Sequence, residues 1–308
     1  MSVVCWPLIK LCEWMGRNTP KALINIRFYA KFHRWPQFNP PKDLNEKICW
    51  MKLYADTSRW SELADKYQVR KYIEELGLGQ YLVKLYGKWD NADCIDFTEL
   101  PSDLIFKVNN GDGKGTNLIV RNLPKANHQN LRNIFKGWLK RKNIGALAAE
   151  PQYKDIPPCI IAEELLPLPA GAHSLTDYKI WCINGQARYV WTCSNRDADG
   201  GGADVMTYDL DWNAHPEMSV FTSEYRHGEL LPKPENLEEM LRLAEALARP
   251  FPILRVDLYN IEGKIFFGEM TFTSQGGLMD FYTQEFLEKL GRDADLSMVE
   301  LNKKSAIN

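Results

Sequence analysis

Asp257 and Glu269 lie in two apolar runs, Arg255-Val256-Asp257 and Gly268-Glu269-Met270-Thr271, on either side of Asn260-Ile261-Glu262-Gly263. Apolar runs interrupted by such a turn predict a β-hairpin. With Ile261, Glu262 and Gly263 as a three-residue loop, Asn260 pairs with Lys264, Asp257 faces Phe267 and Arg255 faces Glu269. Asp257 and Glu269 are then diagonal neighbours on one face, and Thr271 lies two residues along it. Leu254, Val256, Leu258, Phe266, Met270 and Phe272 form the opposite, packed side. Adjacent carboxylates repel unless a cation or a proton lies between them. Mg2+ suits oxygen donors of this kind and completes its shell with water or phosphate oxygens. The pattern equally fits an Arg255–Glu269 ion pair on a solvated face, and a one-residue register change would set both acids opposite apolar residues.

Residues 107–120 read Lys-Val-Asn-Asn-Gly-Asp-Gly-Lys-Gly-Thr-Asn-Leu-Ile-Val. A strand ends in Lys107, and a loop with Gly111, Gly113 and Gly115 leads into a second strand. Glycines let backbone amides turn toward an anion, and Lys107 and Lys114 add positive charge for phosphate. No G-x-x-x-x-G-K-[ST] pattern precedes a helix, so this is not a Walker loop; a flexible glycine hairpin has the same look. Ile160-Ile161-Ala162-Glu163-Glu164-Leu165 is an apolar strand running into paired acids. That is either a solvated strand end or a hinge offering backbone groups to a nucleobase and a carboxylate to ribose. Arg196, in Asn195-Arg196-Asp197 before Gly200-Gly201-Gly202, is a candidate for an anionic substrate, although such glycine runs commonly mark surface loops.

The elements that must position these groups change character along the chain. Residues 1–80 read as helical: Asp43-Leu44-Asn45-Glu46 is a capping box, and Val69, Tyr72, Ile73 and Leu76 form a stripe that Gly77 stops. Beyond it, strands are expected at 81–86, 104–108, 118–121, 159–165, 178–183, 188–193, 253–259 and 264–272. One later helix carries Leu237, Met240, Leu241, Ala244, Leu247 and Ala248 as its buried stripe, with Asn236 and Glu239 as its capping box and Pro250 as its stop. Irregular interleaving, without strict β/α alternation, predicts an α+β protein with antiparallel sheets.

Composition bounds the function. The 308 residues are 45% hydrophobic and 25% charged, with 38 Lys and Arg against 40 Asp and Glu. That balance argues against a nucleic-acid binder. No apolar run approaches a membrane span. Seven scattered cysteines without a C-x-x-C pair read as reduced thiols of a cytoplasmic protein. Five histidines without ligand spacing argue against structural zinc. Residues 3–15 are apolar with Trp6 and Trp14, broken by Lys10 and Glu13. They form either a helix packed on the body, the commoner arrangement, or an interfacial helix giving peripheral membrane association.

Taken in order, these segments resemble the ATP-grasp superfamily, and most closely its branch named for teichuronopeptide biosynthesis, the TupA-like proteins. The resemblance covers about residues 45–291. It rests on Leu44-Asn45-Glu46-Lys47, Ala64-Asp65-Lys66-Tyr67 with Val69-Arg70, and Phe106-Lys107-Val108-Asn109-Asn110-Gly111. It continues through Ile161-Ala162-Glu163-Glu164, Asp177-Tyr178-Lys179, Tyr208-Asp209-Leu210-Asp211-Trp212, Phe251-Pro252 with Arg255-Val256-Asp257, and Gly268-Glu269-Met270-Thr271-Phe272.

The resemblance implies an ATP-grasp fold: a helical segment at 1–80, a small α+β lobe with the phosphate loop at 81–165, and a C-terminal lobe with the metal site at 166–308. It implies that Lys107 reaches the α- and β-phosphates of ATP, that the loop from Gly111 through Gly113 and Lys114 to Gly115 closes over them, and that Glu163, Glu164 and Leu165 form the adenine and ribose hinge. Lys179 would stand near the γ-phosphate and Arg255 would steady the transferring phosphoryl group. Asp257, Glu269 and Thr271 would hold Mg2+. Thr271 stands where the superfamily commonly has asparagine, and helices before Asp65 replace the usual N-terminal α/β lobe. The implied activity is carboxylate–amine ligation through an acylphosphate, joining an amino acid or amine to a sugar uronate in capsule or cell-wall polysaccharide synthesis. The alternatives are a glycosyltransferase-type enzyme, for which Asp209-Leu210-Asp211 would be the metal motif, and a catalytically degenerate ATP-binding scaffold.

Overall fold

The computed structural model describes residues 5–302, apart from 112–114, 143 and 198–200. Eight α-helices are described: α1 (Cys5–Asn18), α2 (Pro20–Phe32), α3 (Leu44–Tyr54), α4 (Ser58–Ala64), α5 (Val69–Glu75), α6 (His128–Leu139), α7 (Leu237–Ala248) and α8 (Gln284–Asp293). The strands are β1 (Leu85–Trp89), β2 (Leu104–Val108), β3 (Asn117–Val120), β4 (Ile160–Glu164), β5 (Asp177–Ile183), β6 (Gln186–Ser194), β7 (Ala203–Tyr208), β8 (Tyr225–His227), β9 (Ile253–Ile261) and β10 (Lys264–Thr271).

The smaller sheet is antiparallel, in the order β1-β4-β2-β3. Alternation along β2 turns Leu104, Phe106 and Val108 inward with Ile160 and Ala162, and Leu131, Phe135 and Trp138 of α6 close that core. The sequence reading has no counterpart for α6. Its apolar stripe is nonetheless regular, with Leu131, Ile134, Phe135, Trp138 and Leu139 at helical spacing, and Asn127 caps it by accepting from the Asn130 amide at 2.9 Å. The strand expected at 81–86 lies further on: Gly79–Tyr81 is a 3-10 turn and the strand opens at Leu85.

The larger sheet runs β10-β9-β5-β6-β7-β8, antiparallel except for the β7–β8 pair. One face is apolar and packs on α7, whose buried stripe is Leu237, Met240, Leu243, Ala244, Leu247 and Ala248. Leu243 takes the inward place expected of Leu241, which is half-buried. Asn236 does not cap this helix through its side chain. Its amide instead donates to the Gly263 carbonyl at 2.8 Å and accepts from Asn260 Nδ2 at 2.6 Å, tying the helix start to the β9–β10 turn.

The helices before residue 80 join this larger core. Leu44, Ile48 and Met51 of α3, Trp60 and Leu63 of α4, and Val69 and Ile73 of α5 belong to the same buried cluster as the sheet. The expected capping box of α3 is present: Glu46 N donates to Asp43 Oδ1 at 2.8 Å and the Glu46 carboxylate accepts from the Asp43 amide. Asn45 then clamps the segment beyond β10, donating to the Met279 carbonyl at 3.0 Å and accepting from the Met279 amide at 2.9 Å.

Candidate functional site

The β9–β10 hairpin differs from the expected register in a way that decides the chemistry. Glu262 and Gly263 have φ of 50° and 82°, so the turn has two residues, and Ile261 pairs with Lys264. Continued unchanged, that register would set Glu269 opposite Val256, on the α7 face. A β-bulge between Phe267 and Glu269 restores the parity: Asp257 is directly opposite Glu269, and Arg255 opposite Thr271. The extra residue is Gly268, where a Cβ would come within 2.8 Å of the Asp257 carbonyl oxygen. The acids therefore share a face, as direct rather than diagonal neighbours. On the packed side Phe267 takes the place expected of Phe266, which instead joins Val83 and Ile261 in a separate cluster.

Strand pairing assembles the rest of this face. Lys179 lies opposite Asp257, and Trp181 opposite Arg255. The buried Asp257 carboxylate receives Arg255 Nε at 2.7 Å and Nη2 at 2.8 Å, together with Lys179 Nζ. Burial alone would raise the Asp257 pKa, but the Arg255 and Lys179 charges bring it down to about 2. Burial likewise opposes the charged form of Lys179, yet Asp177 and Asp257 hold its pKa above the usual lysine value. Arg255 also donates to Ser274 Oγ at 2.6 Å and Thr271 Oγ1 at 3.2 Å. The Thr271 hydroxyl in turn donates a hydrogen bond to Glu269 Oε1 at 3.1 Å. Glu269 is the open end of this network, with its side chain 44% exposed. Arg196 reaches the same face, donating to Asp177 Oδ2 from Nε at 3.0 Å and from Nη2 at 2.5 Å.

The smaller sheet contributes a second charged face. Lys107 and Glu163 are diagonal neighbours on β2 and β4, with Lys107 Nζ 2.7 Å from Glu163 Oε2. Arg70 Nη1 lies 3.3 Å from the other Glu163 oxygen. Glu163 is thus a buried acid between two cations, whereas Glu164 is exposed and Leu165 half-buried.

Beyond Lys107, Asn109 fixes the glycine loop. Its amide group donates to Asp65 Oδ2 at 2.9 Å and to the Pro157 carbonyl at 3.0 Å, and its Oδ1 accepts from the Cys159 amide at 2.7 Å. The Lys66 amide donates to the Asn109 carbonyl at 3.0 Å, and Lys66 Nζ donates to the Gly111 carbonyl at 2.9 Å while lying 3.7 Å from Glu269 Oε2. Lys66 therefore bridges the glycine loop and the larger sheet.

Between the glycine loop and the larger sheet lies a cavity of about 710 Å3. Arg27, Lys31, Lys66, Lys179, Arg196 and Arg255 line it, against the two acids Glu150 and Glu269. Gly111 and Thr271 are also in its wall; a Cβ on Gly111 would come within 2.5 Å of Thr116 Oγ1. Asp257 lies behind Lys179 and Arg255. Lys107 and Glu163 pair outside this lining, and Gly115, with φ of 77°, lies at the far end of the loop. Gly113 and Lys114 lie outside the described residues.

Sequence reasoning passed over Lys66, Arg27, Lys31 and Glu150. Only the phrase Ala64-Asp65-Lys66-Tyr67 carried a signal for any of them. Among the described residues no cluster of three or more His, Cys, Asp or Glu side chains is placed to hold a metal alone. Asp209, of the D-x-D, accepts from the Asn213 amide at 2.8 Å and from Asn213 Nδ2 at 2.9 Å, which makes that motif a turn before Trp212.

Comparison with known proteins gives three kinds of result. Solved structures similar to this one include the D-alanine–D-alanine ligase of Bacillus anthracis, at 14% identity and a TM-score of 0.45 over 80% of this chain and 66% of that one. The ADP complex of N5-carboxyaminoimidazole ribonucleotide synthetase is similar at 14% identity and a TM-score of 0.42, over 70% of this chain and 46% of that one. The ATP-grasp ligase PsnB, complexed with a precursor variant, Mg and ADP, is similar at 11% identity and a TM-score of 0.41, over 96% and 70%. The chain thus spans a little under two thirds of the length of the Bacillus ligase. No curated protein matches the sequence. The family model for TupA-like ATPgrasp proteins matches residues 46–294, from the α3 capping box to the end of α8, and the chain belongs to that family.

Proposed function

We propose that the cavity binds ATP with Mg2+, and that the chain is a carboxylate–amine ligase joining an amino acid or amine to a sugar uronate during surface-polysaccharide assembly. The observation that carries this reading is the imbalance of six cations to two acids in one cavity between the glycine loop and the larger sheet. Such a cavity suits a polyphosphate and a carboxylate together.

In this reading Lys107 leaves Glu163 to Arg70 and reaches the α- and β-phosphates, with the loop from Gly111 to Gly115 over them. Residues 163–165 meet the adenine and ribose. Arg196 and Arg255 draw in the substrate carboxylate, one of whose oxygens attacks the γ-phosphorus as ADP leaves. Lys179 and Arg255, already fixed on Asp257, neutralise the charge of the moving phosphoryl group without reorienting. The amine then attacks the acylphosphate carbonyl, phosphate departs, and the nitrogen loses a proton to complete the amide. Glu269, open to the cavity, and the Thr271 hydroxyl beside it would hold Mg2+, whereas both oxygens of Asp257, directly opposite, are taken by Arg255 and Lys179. When bound, the ion would neutralise phosphate charge.

Thermal unfolding with ATP or UDP-glucose, each with and without Mg2+, tests the reading, because a ligand of the native state raises the midpoint. A Mg2+-dependent rise with ATP is expected, followed by phosphate release when uronates and amino acids are supplied together. A rise with the uridine nucleotide alone would transfer the reading to a glycosyltransferase. No rise with either would remove the cavity as a nucleotide site.

A further inference from the structure

The outer surface of α1 and α2 has no part in that reaction, and its composition sets it apart from the rest of the molecule. The inner side of the pair is packed: Leu23, Ile24 and Phe28 form a small core with Cys49, and Cys12 and Met15 lie against it. Gly16 lets α1 approach the following layer, since a Cβ there would come within 1.8 Å of the Ala146 carbonyl oxygen. The outer side carries Trp6, Leu8, Leu11 and Trp14 from α1, Ile26 and Tyr29 from α2, and Trp35 just beyond, each between 45% and 65% exposed. Among the described residues, Trp6, Trp14, Tyr29 and Trp35 are the only aromatic side chains so open to solvent. Tyr29 and Trp35 stack with ring centroids 4.6 Å apart.

Charge is uneven along the chain as well, although Lys10 pairs with Glu13, Lys31 with Asp280, and Arg34 with Asp43 and Glu46. Residues 1–42 contain seven Lys and Arg against one Glu, whereas the rest of the chain has 31 against 39 acids. Arg17 and Lys21 are exposed where α1 meets α2, and Lys10 lies 5.7 Å from the Trp6 ring centroid.

Tryptophan and tyrosine among aliphatic side chains, flanked by cations, suit the boundary between lipid and water, and basic residues are drawn to anionic headgroups. The 14 residues of α1 reach only about 21 Å at ~1.5 Å each, short of a bilayer core of about 30 Å, so such a helix lies in the interface. A second copy of the chain is a poor occupant, because a two-fold contact through this face would set one basic segment against another. We propose that the outer face of α1 and α2 docks on an anionic lipid surface, with the acidic body turned away from it. The inference stands apart from the nucleotide chemistry but bears on its substrate. Arg27 and Lys31 of α2 line the cavity, so docking would hold the cavity within about a helix diameter, ~10 Å, of the headgroups.

The test is co-sedimentation of the 308-residue chain with phosphatidylcholine vesicles, alone or with about 30 mol% phosphatidylglycerol. Binding at least ~10-fold tighter to the anionic vesicles, and weakened by salt, is expected. Trp6→Glu with Trp14→Glu should abolish pelleting, and Arg17→Glu with Lys21→Glu should remove the lipid preference. Both pairs should keep the thermal midpoint and any ATP-dependent shift of the parent chain, which separates this inference from the ligase reading. Equal recovery with both vesicle types, or none, would overturn it. So would a dimer in sedimentation velocity that the tryptophan substitutions disperse, because the face would then belong to a second copy.

Discussion

The two sheets hold their cations by different means. On the larger sheet, Lys179 and Arg255 are both fixed on one buried carboxylate, and the order of strands β10, β9 and β5 sets every distance. On the smaller sheet, Lys107 is a quarter exposed and shares Glu163 with Arg70. It can leave Glu163 without stranding a buried charge. The lesson is a division of labour: one face is rigid before any ligand arrives, and the other can rearrange around it.

The sharpest way to break this contrast is to remove a cation from the rigid side. Arg255→Met or Lys179→Met should lower turnover by about 10²–10³-fold, the cost of deleting one preorganised charge-stabilising group. Each should also destabilise the fold, since Asp257 is left with a single partner. A fully active, fully stable variant would end the assignment. Next comes Gly268→Val, whose Cβ meets the Asp257 carbonyl oxygen at 2.8 Å. A loss of roughly 1–3 kcal/mol in denaturant unfolding, with activity falling alongside, is expected from such crowding. Lys107→Met should weaken ATP binding by about tenfold, roughly 1.4 kcal/mol, while changing stability by less than ~1 kcal/mol, as for other partly exposed pairs. Unchanged nucleotide affinity in calorimetry would take Lys107 out of the site.

A further expected effect is a pH dependence. Asp257 has its folded pKa depressed to about 2 from 3.8, so the stability it contributes is fully present above about pH 4. That stability is lost as the pH falls from about 4 through about 2. Asp257→Asn should flatten this part of the acid-unfolding curve relative to the parent chain, and parallel curves would contradict the depressed value.

How much of this could be read from the sequence depends on the range of the signal. Arg255, Asp257 and Glu269 were conspicuous because ionisable residues interrupt apolar strands, and burial there demands partners. The α3 capping box was legible because its two residues are three apart. Lys66 was not, because its significance comes from Gly111 and Glu269, 45 and 203 positions away along the chain. The bulge was missed because a glycine in a strand signals irregularity without saying whether the ladder slips. The acids shared a face in both readings, but through different pairings.

That hairpin obeys a parity rule. Eleven residues separate Asp257 from Glu269, an odd number, so the hairpin must accommodate one unpaired residue, and nothing requires that residue to stay at position 268. Deleting Gly268 leaves ten residues between the acids, and a two-residue turn with an unbroken ladder should then still set Glu269 opposite Asp257. Deleting one residue between 264 and 267 while the bulge stays should instead set Glu269 opposite Leu258, on the wrong side of the sheet, and silence the site. A length change in this hairpin is therefore tolerated only where the ladder leaves a residue unpaired, a contrast that no single substitution can produce.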